Sequence, residues 1–404
     1  MRYEDMEYEN YKNVINCLDE FSCLSRADIA KKLSLSRTTV SNIVSALIAA
    51  GVVKESSVQL QDSASRGRPG SPIMFDDKWY ALGASFYLSS WDFVLCDLEG
   101  VVVREYQLSV EHVTPDTLIS TLISGIKFFL KDFKRSLLPA IGLGLPGVID
   151  SDKGQILWAY DLKWNDFIDI RTPVEKAFGM AVYCLNRYSL AGLAEYTYAN
   201  AEKDRDMVYV GIGSGIRSAI FINGRLLKGN NFSAGRIGHI PLDPRGPLCE
   251  CGKHGCLLTL ANESALVSYA LKLASEESYS NSVLASMPKD DISPDLILSL
   301  ADDGDECAER CVEHIAEPLI VAISILVDLI NPRKIVIGGP MGFSCKYLVT
   351  CIQNATSRIA IETPYRSMSI VQGKIKDIGS ALGAATLVLQ NKAELLYQNA
   401  IKVN

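Results

Sequence analysis

The sequence lacks an apolar run long enough to cross a bilayer. Its longest run, PLIVAISILVDLI, is too short and contains Asp328. The N-terminal stretch MRYEDMEYENYKN is acidic, and it lacks the basic and apolar regions of a secretion signal. These absences argue against a membrane protein and a secreted protein, so we expect a cytoplasmic protein without membrane contact.

An excess of positive charge is also missing, because the 404 residues carry a formal net charge of −7. This argues against a chain that coats nucleic acid over its whole surface, so any contact with DNA must be local. With 48% hydrophobic residues, the chain can bury two or three cores. Its 11 cysteines are expected to be core residues or metal ligands rather than disulfides.

Residues 1–60 are predicted to form a small all-α domain of three short helices. Ser25 with Asp28 forms a capping box before the second helix, and Ser36 is a favourable N-cap for the third. The candidate DNA-reading residues, polar side chains in the first turns of that helix, are Ser36, Arg37, Thr38, Thr39, Ser41 and Asn42. In a helix-turn-helix such positions reach base edges and phosphates in the major groove. An ordinary three-helix bundle is the alternative, but the segment resembles winged helix-turn-helix domains of bacterial repressors, with VVKES opening the wing.

A segment rich in glycine, serine and proline, residues 61–77, is predicted to be a wing tip or linker. Its RGRP core resembles an AT-hook, in which arginines on an extended backbone enter the minor groove of A·T tracts. Arg66 and Arg68 are therefore candidate DNA contacts. A solvated linker explains the same residues almost as well.

After the linker, strands and helices alternate, which predicts α/β layers. Three glycine-rich turns follow strands: GLGLPG at 142–147, GIGSG at 211–215 and GGP at 338–340. Spread over about two hundred residues, they suggest phosphate or nucleotide loops in a two-lobed fold rather than one dinucleotide-binding unit.

One histidine and three cysteines form a candidate metal site. His239, Cys249, Cys251 and Cys256 have the spacing H-x9-C-x-C-x4-C, a closed tetrahedral ligand set suited to structural zinc. His254 lies inside the same loop and is an alternative ligand. A second set, Cys307, Cys311 and His314, lies on one face of a predicted helix, where core packing is the simpler interpretation.

Together these motifs resemble the ROK family of repressors, open reading frames and sugar kinases, over nearly the whole chain. The resemblance implies a multidomain protein: an N-terminal winged helix-turn-helix followed by an actin-like, two-lobed α/β domain of the sugar kinase type. The expected first lobe covers residues 78–190, with a C-terminal helix 379–404 returning to it, and the expected second lobe covers residues 191–378 with the zinc loop. In the family signature, the residues matching His239 and the three cysteines bind zinc.

The residues that a ROK kinase needs for catalysis are replaced. The family's Asn-Asp pair, whose aspartate is the general base, reads Asn186-Arg187, and a permanently protonated arginine cannot be that base. The sugar-binding glutamates of GEIGH and GCLE are Arg236 and Leu258, and the first phosphate motif survives only as LGAS at 82–85. The resemblance therefore predicts a protein that is not an enzyme.

The two new arginines suggest a changed ligand. If Arg187 and Arg236 face one cleft with Asn186 and His239, this cleft favours an anion such as a sugar phosphate or uronic acid, held by guanidinium contacts. Alternatively, the arginines bridge the lobes to Asp161 or Glu195, and the site binds a neutral sugar or nothing.

The sequence as a whole predicts a sequence-specific transcriptional regulator, most simply a repressor of carbohydrate metabolism. Its partners would be a double-stranded operator, a small-molecule effector and a second copy of the chain in a homodimer or tetramer. An active sugar kinase and a DNA-binding protein without an effector are the alternatives.

Overall fold

The structure is a computed structural model that describes residues 3–56, 71–200, 204–359, 368–376 and 378–403. Its N-terminal part consists of three helices and a three-stranded antiparallel sheet with the strand order β1-β3-β2. The elements are α1 (Tyr3–Phe21), β1 (Leu24–Ser25), α2 (Arg26–Leu33), α3 (Arg37–Ala49), β2 (Val53–Glu55) and β3 (Pro72–Phe75). This is a winged helix-turn-helix, as predicted, and β3 lies within the segment expected to be a linker.

Both predicted N-caps are present. The Ser25 hydroxyl accepts a hydrogen bond from the backbone NH of Asp28 at 3.1 Å, and the Ser36 hydroxyl accepts one from that of Thr39 at 3.0 Å. Each satisfies a backbone donor that has no partner within its helix. The candidate contacts Arg66 and Arg68 lie outside the described residues.

The next part is built on a five-stranded mixed sheet with the strand order β11-β7-β4-β5-β6. Three consecutive antiparallel strands, β4 to β6, are followed by helix α4 and strand β7, in keeping with the predicted alternation. The elements are β4 (Trp79–Tyr87), β5 (Ser90–Asp97), β6 (Val102–Ser109), α4 (Pro115–Leu130), β7 (Ser136–Leu145), β8 (Val148–Asp150), β9 (Gln155–Trp158), β10 (Ile168–Asp169), α5 (Arg171–Phe178) and β11 (Ala181–Asn186). Strands β8, β9 and β10 form a small antiparallel sheet at its edge.

A second five-stranded sheet has the order β14-β13-β12-β15-β16. The boundary expected between residues 190 and 191 falls inside α6, which leads from one sheet to the other. The elements are α6 (Arg187–Ala194), β12 (Met207–Ile212), β13 (Ile216–Ile222), β14 (Arg225–Leu226), α7 (Leu257–Ala261), α8 (Glu263–Leu273), α9 (Val283–Ser286), α10 (Pro294–Asp302), α11 (Glu306–Ile330), β15 (Lys334–Gly338), α12 (Gly339–Ser344), α13 (Lys346–Ile359) and β16 (Ser369–Gln372).

The C-terminal segment returns to the first sheet, but the expected single helix 379–404 is wrong. It consists of α14 (Gly379–Leu389) and α15 (Lys392–Val403). The side-chain amide of Asn391 donates to the carbonyl of Leu387 at 2.9 Å and closes α14, while the carbonyl of Asn391 accepts from the NH of Leu395 and begins α15. Helix α14 lies so close to the sheet that a Cβ at Gly142 would be 1.9 Å from the carbonyl oxygen of Ala384.

The winged helix-turn-helix and the first lobe share one hydrophobic core. Leu47 of α3, Val94 of β5 and Leu396 of α15 are all fully buried in it. The Trp79 indole donates to the carbonyl of Gly51 at 2.7 Å, and the Lys392 ammonium pairs with Asp19 of α1. Since apolar burial is the main stabilising term, this core holds the DNA-binding part firmly on the body.

No helix among the described residues combines the length and the low polarity needed to cross a membrane.

Candidate functional site

Helix α3 presents its N-terminal turns on the surface. Ser36, Arg37, Thr38 and Asn42 are exposed, whereas Thr39 and Ser41 are partly buried. The hydroxyls of Ser36 and Thr39 share a hydrogen bond of 2.8 Å. The exposed face has the size and polarity that a recognition helix offers to the major groove.

Arg26, which sequence reasoning missed, contacts both α3 and the wing. Its guanidinium donates to the Ser41 hydroxyl at 3.3 Å and pairs with Glu55 of the wing at 3.1 Å. Arg26 therefore joins α2, α3 and β2, and it holds the Ser41 hydroxyl in place. Its only sequence signal is its position directly after the N-cap Ser25, which does not indicate these distant partners.

The structure brings the four predicted metal ligands together. One ligand atom from each of His239, Cys249, Cys251 and Cys256 lies within 4.8 Å of all the others. Nδ1 of His239 is 3.5 Å from Sγ of Cys249, and the sulfurs of Cys251 and Cys256 are 3.6 Å apart. A tetrahedral zinc with Zn–S near 2.3 Å and Zn–N near 2.0–2.1 Å places two sulfurs about 3.8 Å apart and a sulfur and a nitrogen about 3.6 Å apart. The cluster can therefore hold a metal with these four ligands.

The protein favours the form of His239 that binds metal. Burial, together with the nearby cations Arg236, Lys253 and Arg217, lowers the pKa of His239 to about 4, so the imidazole is neutral at pH 7. The Lys253 ammonium donates to the backbone carbonyl of His239 at 2.6 Å and ties the two ends of the loop together. Neutral imidazole is the form that ligates a metal.

Among the described residues, neither the alternative ligand His254 nor the second set, Cys307, Cys311 and His314, forms part of a metal cluster. The His254 ring faces the carbonyl of Gly246 at 3.0 Å. His314 stacks on Tyr269 with ring centroids 3.7 Å apart, and Cys307 and Cys311 are buried in the core of the second lobe. Within the described residues, only the cluster around His239 could hold a metal through three or more such side chains.

Aromatic side chains and Arg187 fill the gap between the end of β4 and the GIGSG loop. Tyr87, at the end of β4, shares a hydrogen bond of 3.3 Å with Ser214. The guanidinium of Arg187 lies 3.9 Å from the ring centre of Tyr87 and 4.1 Å from that of Tyr188, and it donates to the Tyr188 hydroxyl at 2.8 Å. That hydroxyl in turn donates to the carbonyl of Gly215. Side chains therefore fill the space between the end of β4 and the GIGSG loop.

Asn186 is the N-cap of α6. Its side-chain oxygen accepts from the NH of Tyr188 at 2.9 Å, and its amide nitrogen donates to the carbonyl of Gly147 at 2.7 Å. The backbone carbonyl of Arg187 accepts from the Ser380 hydroxyl of α14. The start of α6 thus touches both the GLGLPG turn and the C-terminal helices that carry the DNA-binding part.

Arg217, a residue that sequence reasoning did not single out, lies in the cleft between the lobes. It is buried, and its Nη1 and Nη2 donate to the carbonyls of Gly147 at 3.2 Å and Ala234 at 3.4 Å. The available signal was one arginine in the otherwise mostly apolar strand IRSAIFI. Burial, then the like charge of Arg236, lowers the pKa of Arg217 to about 10.

Arg236 lies near enough to Arg217 to repel it and lines a second pocket. Its guanidinium lies 5.9 Å from the ring centre of Trp158 and 5.7 Å from that of Tyr160. It lines a pocket of about 260 Å³ with Tyr160, His239, Cys251 and Lys253, all aromatic, cationic or metal-ligating. The cleft is therefore cationic on the side of the second lobe.

Glu195, one of the two acidic partners expected for these arginines, binds backbone NH groups instead. Glu195 accepts from the backbone NH groups of Lys374 at 2.6 Å and Ile375 at 2.7 Å. The side chain of Asp161 lies outside the described part of the structure. Leu258, at the position of the second family glutamate, packs against the core of the second lobe.

Family models match both parts of the chain. The ROK family model covers residues 90–391, and a model of winged helix-turn-helix DNA-binding domains covers residues 12–54. The two matches together include α3, most of both lobes and the candidate metal cluster.

Curated relatives align over almost the whole chain. The DNA-binding transcriptional dual regulator NagC of Escherichia coli is 29% identical over 381 residues, which cover 94% of this chain and 92% of NagC. The xylose repressor of Caldicellulosiruptor bescii is 25% identical over 384 residues, with 94% of each chain covered.

A solved structure of a regulator matches nearly the whole chain, whereas a solved structure of a kinase matches only part of it. A ROK family transcriptional regulator described as a homolog of E. coli Mlc superposes with a TM-score of 0.84 at 25% identity, and the match covers 98% of this chain and 99% of the other. A ROK family glucokinase from Streptomyces griseus, at 22% identity, matches 76% of this chain and 98% of its own with a TM-score of 0.69, which shows the shared fold of the lobes.

Proposed function

Because the chain belongs to the ROK family, we propose that it represses genes of sugar metabolism and that an acidic sugar derivative controls its binding to DNA. It is a DNA-binding transcriptional regulator and not an enzyme, since the relatives that align over its full length are regulators and repressors. The observation that carries the proposal is the hydrophobic core shared by the winged helix-turn-helix and the first lobe. A change at the cleft can reach the DNA-reading helix through this core.

Operator recognition rests on α3. Arg37, Thr38 and Asn42 are exposed on its first turns, where side chains can contact base edges and phosphates. Two copies in a homodimer would read two half-sites whose centres are about 34 Å apart or a multiple of that distance. Lobe closure that rotates the reading helices away from this spacing would release the operator.

Catalysis is not the role of the cleft. The position that needs a carboxylate as general base holds Arg187, which is buried between Tyr87 and Tyr188. The Tyr87 and Ser214 side chains share a hydrogen bond across the gap between the end of β4 and the GIGSG loop. Phosphoryl transfer requires open loops that cradle the phosphates and a base that accepts the hydroxyl proton.

The effector follows from the charge of the cleft. The relatives named above include an E. coli regulator and a xylose repressor, and another carries the name N-acetylglucosamine repressor, so the ligand is expected to be a sugar derivative. Arg217 and Lys228 line one pocket, Arg236 and Lys253 line a second, and among the described residues no Asp or Glu lines either. An anionic group on the sugar would satisfy these cations.

Structural zinc is the metal that best fits the cluster. Three thiolates and one imidazole close the tetrahedron, so no position is left for a catalytic water. His239 and Cys251 also line the pocket with Arg236, so zinc would fix this wall of the effector site.

The test combines operator selection with effector release. Duplexes selected from a random pool by the full chain define an operator, and fluorescence anisotropy then measures its release by neutral sugars, sugar phosphates and uronates. We expect release by an acidic sugar and no ATP consumption with any of these sugars. Release by neutral sugars alone would overturn the acidic effector, and failure to select any duplex would overturn operator binding.

A further inference from the structure

We propose that Arg217 binds the carboxylate of an acidic sugar and thereby sets the specificity of the cleft for uronates over sugar phosphates and neutral sugars. This inference rests on the effector binding proposed above. It assigns the recognition of charge to a strand residue that no sequence motif of the chain indicates.

The position of Arg217 is that of a ligand-binding group. It extends from β13 of the second sheet to the GLGLPG turn of the first lobe, where its Nη1 reaches the carbonyl of Gly147. Both of its hydrogen bonds are long, at 3.2 Å and 3.4 Å, compared with about 2.7–2.9 Å for good charge-assisted bonds. Its buried Nε has no hydrogen-bond partner in the described structure.

In the part of the chain that the structure describes, Arg217 has no ion-pair partner. It is 8% exposed, the nearby cation Arg236 repels it, and Lys228 lines the same cavity. Buried charges in proteins are normally paired or bound to a counterion. An anion that enters the cleft would provide the missing partner for Arg217 and reduce its repulsion from Arg236.

The space beside Arg217 favours a small planar anion. A cavity of about 20 Å³ is lined there by Arg217, Asn186, Ser189, Lys228 and Ala234. A single water needs about 10–15 Å³, so this small cavity favours a planar carboxylate over the larger tetrahedral phosphate. A carboxylate can take two parallel hydrogen bonds from a guanidinium.

The larger pocket of about 260 Å³ at Arg236 has room for the rest of a sugar. Ala234, which accepts from Arg217, is two residues before Arg236, and Arg236 is near enough to repel Arg217. Lys228 crosses from the second lobe to the Ser151 hydroxyl of the first lobe at 3.2 Å, so ligand binding at Arg217 lies where both lobes meet. The carboxylate would lie beside Arg217 and the sugar ring towards Arg236.

The test compares Arg217→Met with the wild type and with Arg225→Met, a matched control at an exposed arginine of the same sheet. Isothermal titration uses the full, zinc-loaded chain and three probes: glucuronate, glucose 6-phosphate and glucose. We expect the wild type and Arg225→Met to bind glucuronate most tightly, and Arg217→Met to bind it about 10- to 100-fold more weakly, because a charged hydrogen bond is lost. Arg217→Lys, which keeps the charge but loses the planar fork, should show an intermediate loss.

A second measurement separates ligand binding from a structural role. Without ligand, Arg217→Met should melt at or above the wild-type temperature because it removes a buried unpaired charge, whereas an arginine needed to bridge Gly147 and Ala234 would make the variant melt lower. A lower melting temperature, or equal glucuronate binding by Arg217→Met and wild type, would overturn the role of Arg217. If wild type and Arg217→Met bind glucuronate equally, only the role of Arg217 is wrong and the proposed function survives. If wild type binds none of the acidic probes, the proposal of an acidic effector itself fails.

Discussion

Replacement of Cys251 by serine is expected to remove the metal and to lower the melting temperature of the second lobe. Cys251 is only partly buried, so the substitution costs little packing, whereas Cys249 and Cys256 are buried. A neutral hydroxyl is a poor replacement for a thiolate ligand of zinc. The variant therefore separates metal ligation from core packing.

The magnitude follows from linkage between metal binding and folding. A metal present at about 1,000 times its Kd stabilises the folded chain by about 4 kcal/mol if the unfolded chain does not bind it. In a cooperative unit of roughly 150–250 residues, 1 kcal/mol shifts the melting temperature by about 2–4 °C. Loss of zinc should thus lower the melting temperature by roughly 8–16 °C.

The assay measures the metal content of the purified chain by mass spectrometry and its thermal unfolding by circular dichroism. The matched control is Cys351→Ser, a partly buried cysteine of the same lobe that lies outside the cluster. We expect one zinc per chain in wild type and control, and none in Cys251→Ser. Zinc retained by Cys251→Ser, or a melting temperature equal to that of the control, would refute a four-ligand structural site.

Three further predictions concern the DNA-binding part. Arg37→Ala should weaken operator binding by about 1–3 kcal/mol and, if the residue contacts phosphate, lower the slope of log affinity against log salt by about 1. Because the side chain is exposed, the melting temperature should not change. Fluorescence anisotropy at several salt concentrations measures both binding effects. Leu396→Ala should destabilise the chain by about 2–5 kcal/mol in urea unfolding because the side chain is fully buried in the shared core; a loss below about 1 kcal/mol would contradict that core. Lys392→Met removes the hydrogen bonds from α15 to Asp19 and to the Leu98 carbonyl, so the effector should release DNA less well. Operator affinity without effector should stay within twofold, roughly 0.4 kcal/mol. Unchanged release would exclude this link from the coupling between effector and DNA binding.

Local features of the sequence were sufficient for several elements and for the metal ligands. Ser25 and Ser36 cap their helices because an N-cap needs only a side-chain oxygen three residues before a backbone donor. The candidate ligands Cys249, Cys251 and Cys256 meet because they belong to one short loop, and only His239 comes from its start. Such features depend on neighbours along the chain, so residue type and spacing indicate them.

The cleft was decided by contacts between distant residues. Tyr87 meets Ser214, and Arg217 reaches Gly147, although each pair is separated by many tens of residues and joins two lobes. The same is true of α14, which replaces the expected continuous helix and packs against Gly142 through the Ala384 backbone. By itself, the sequence determined the family, most helices and strands of both parts and the candidate metal cluster. Only the tertiary structure decided that Arg217 is buried with no ion-pair partner among the described residues, because the burial and partners of a charge depend on what the fold packs around it.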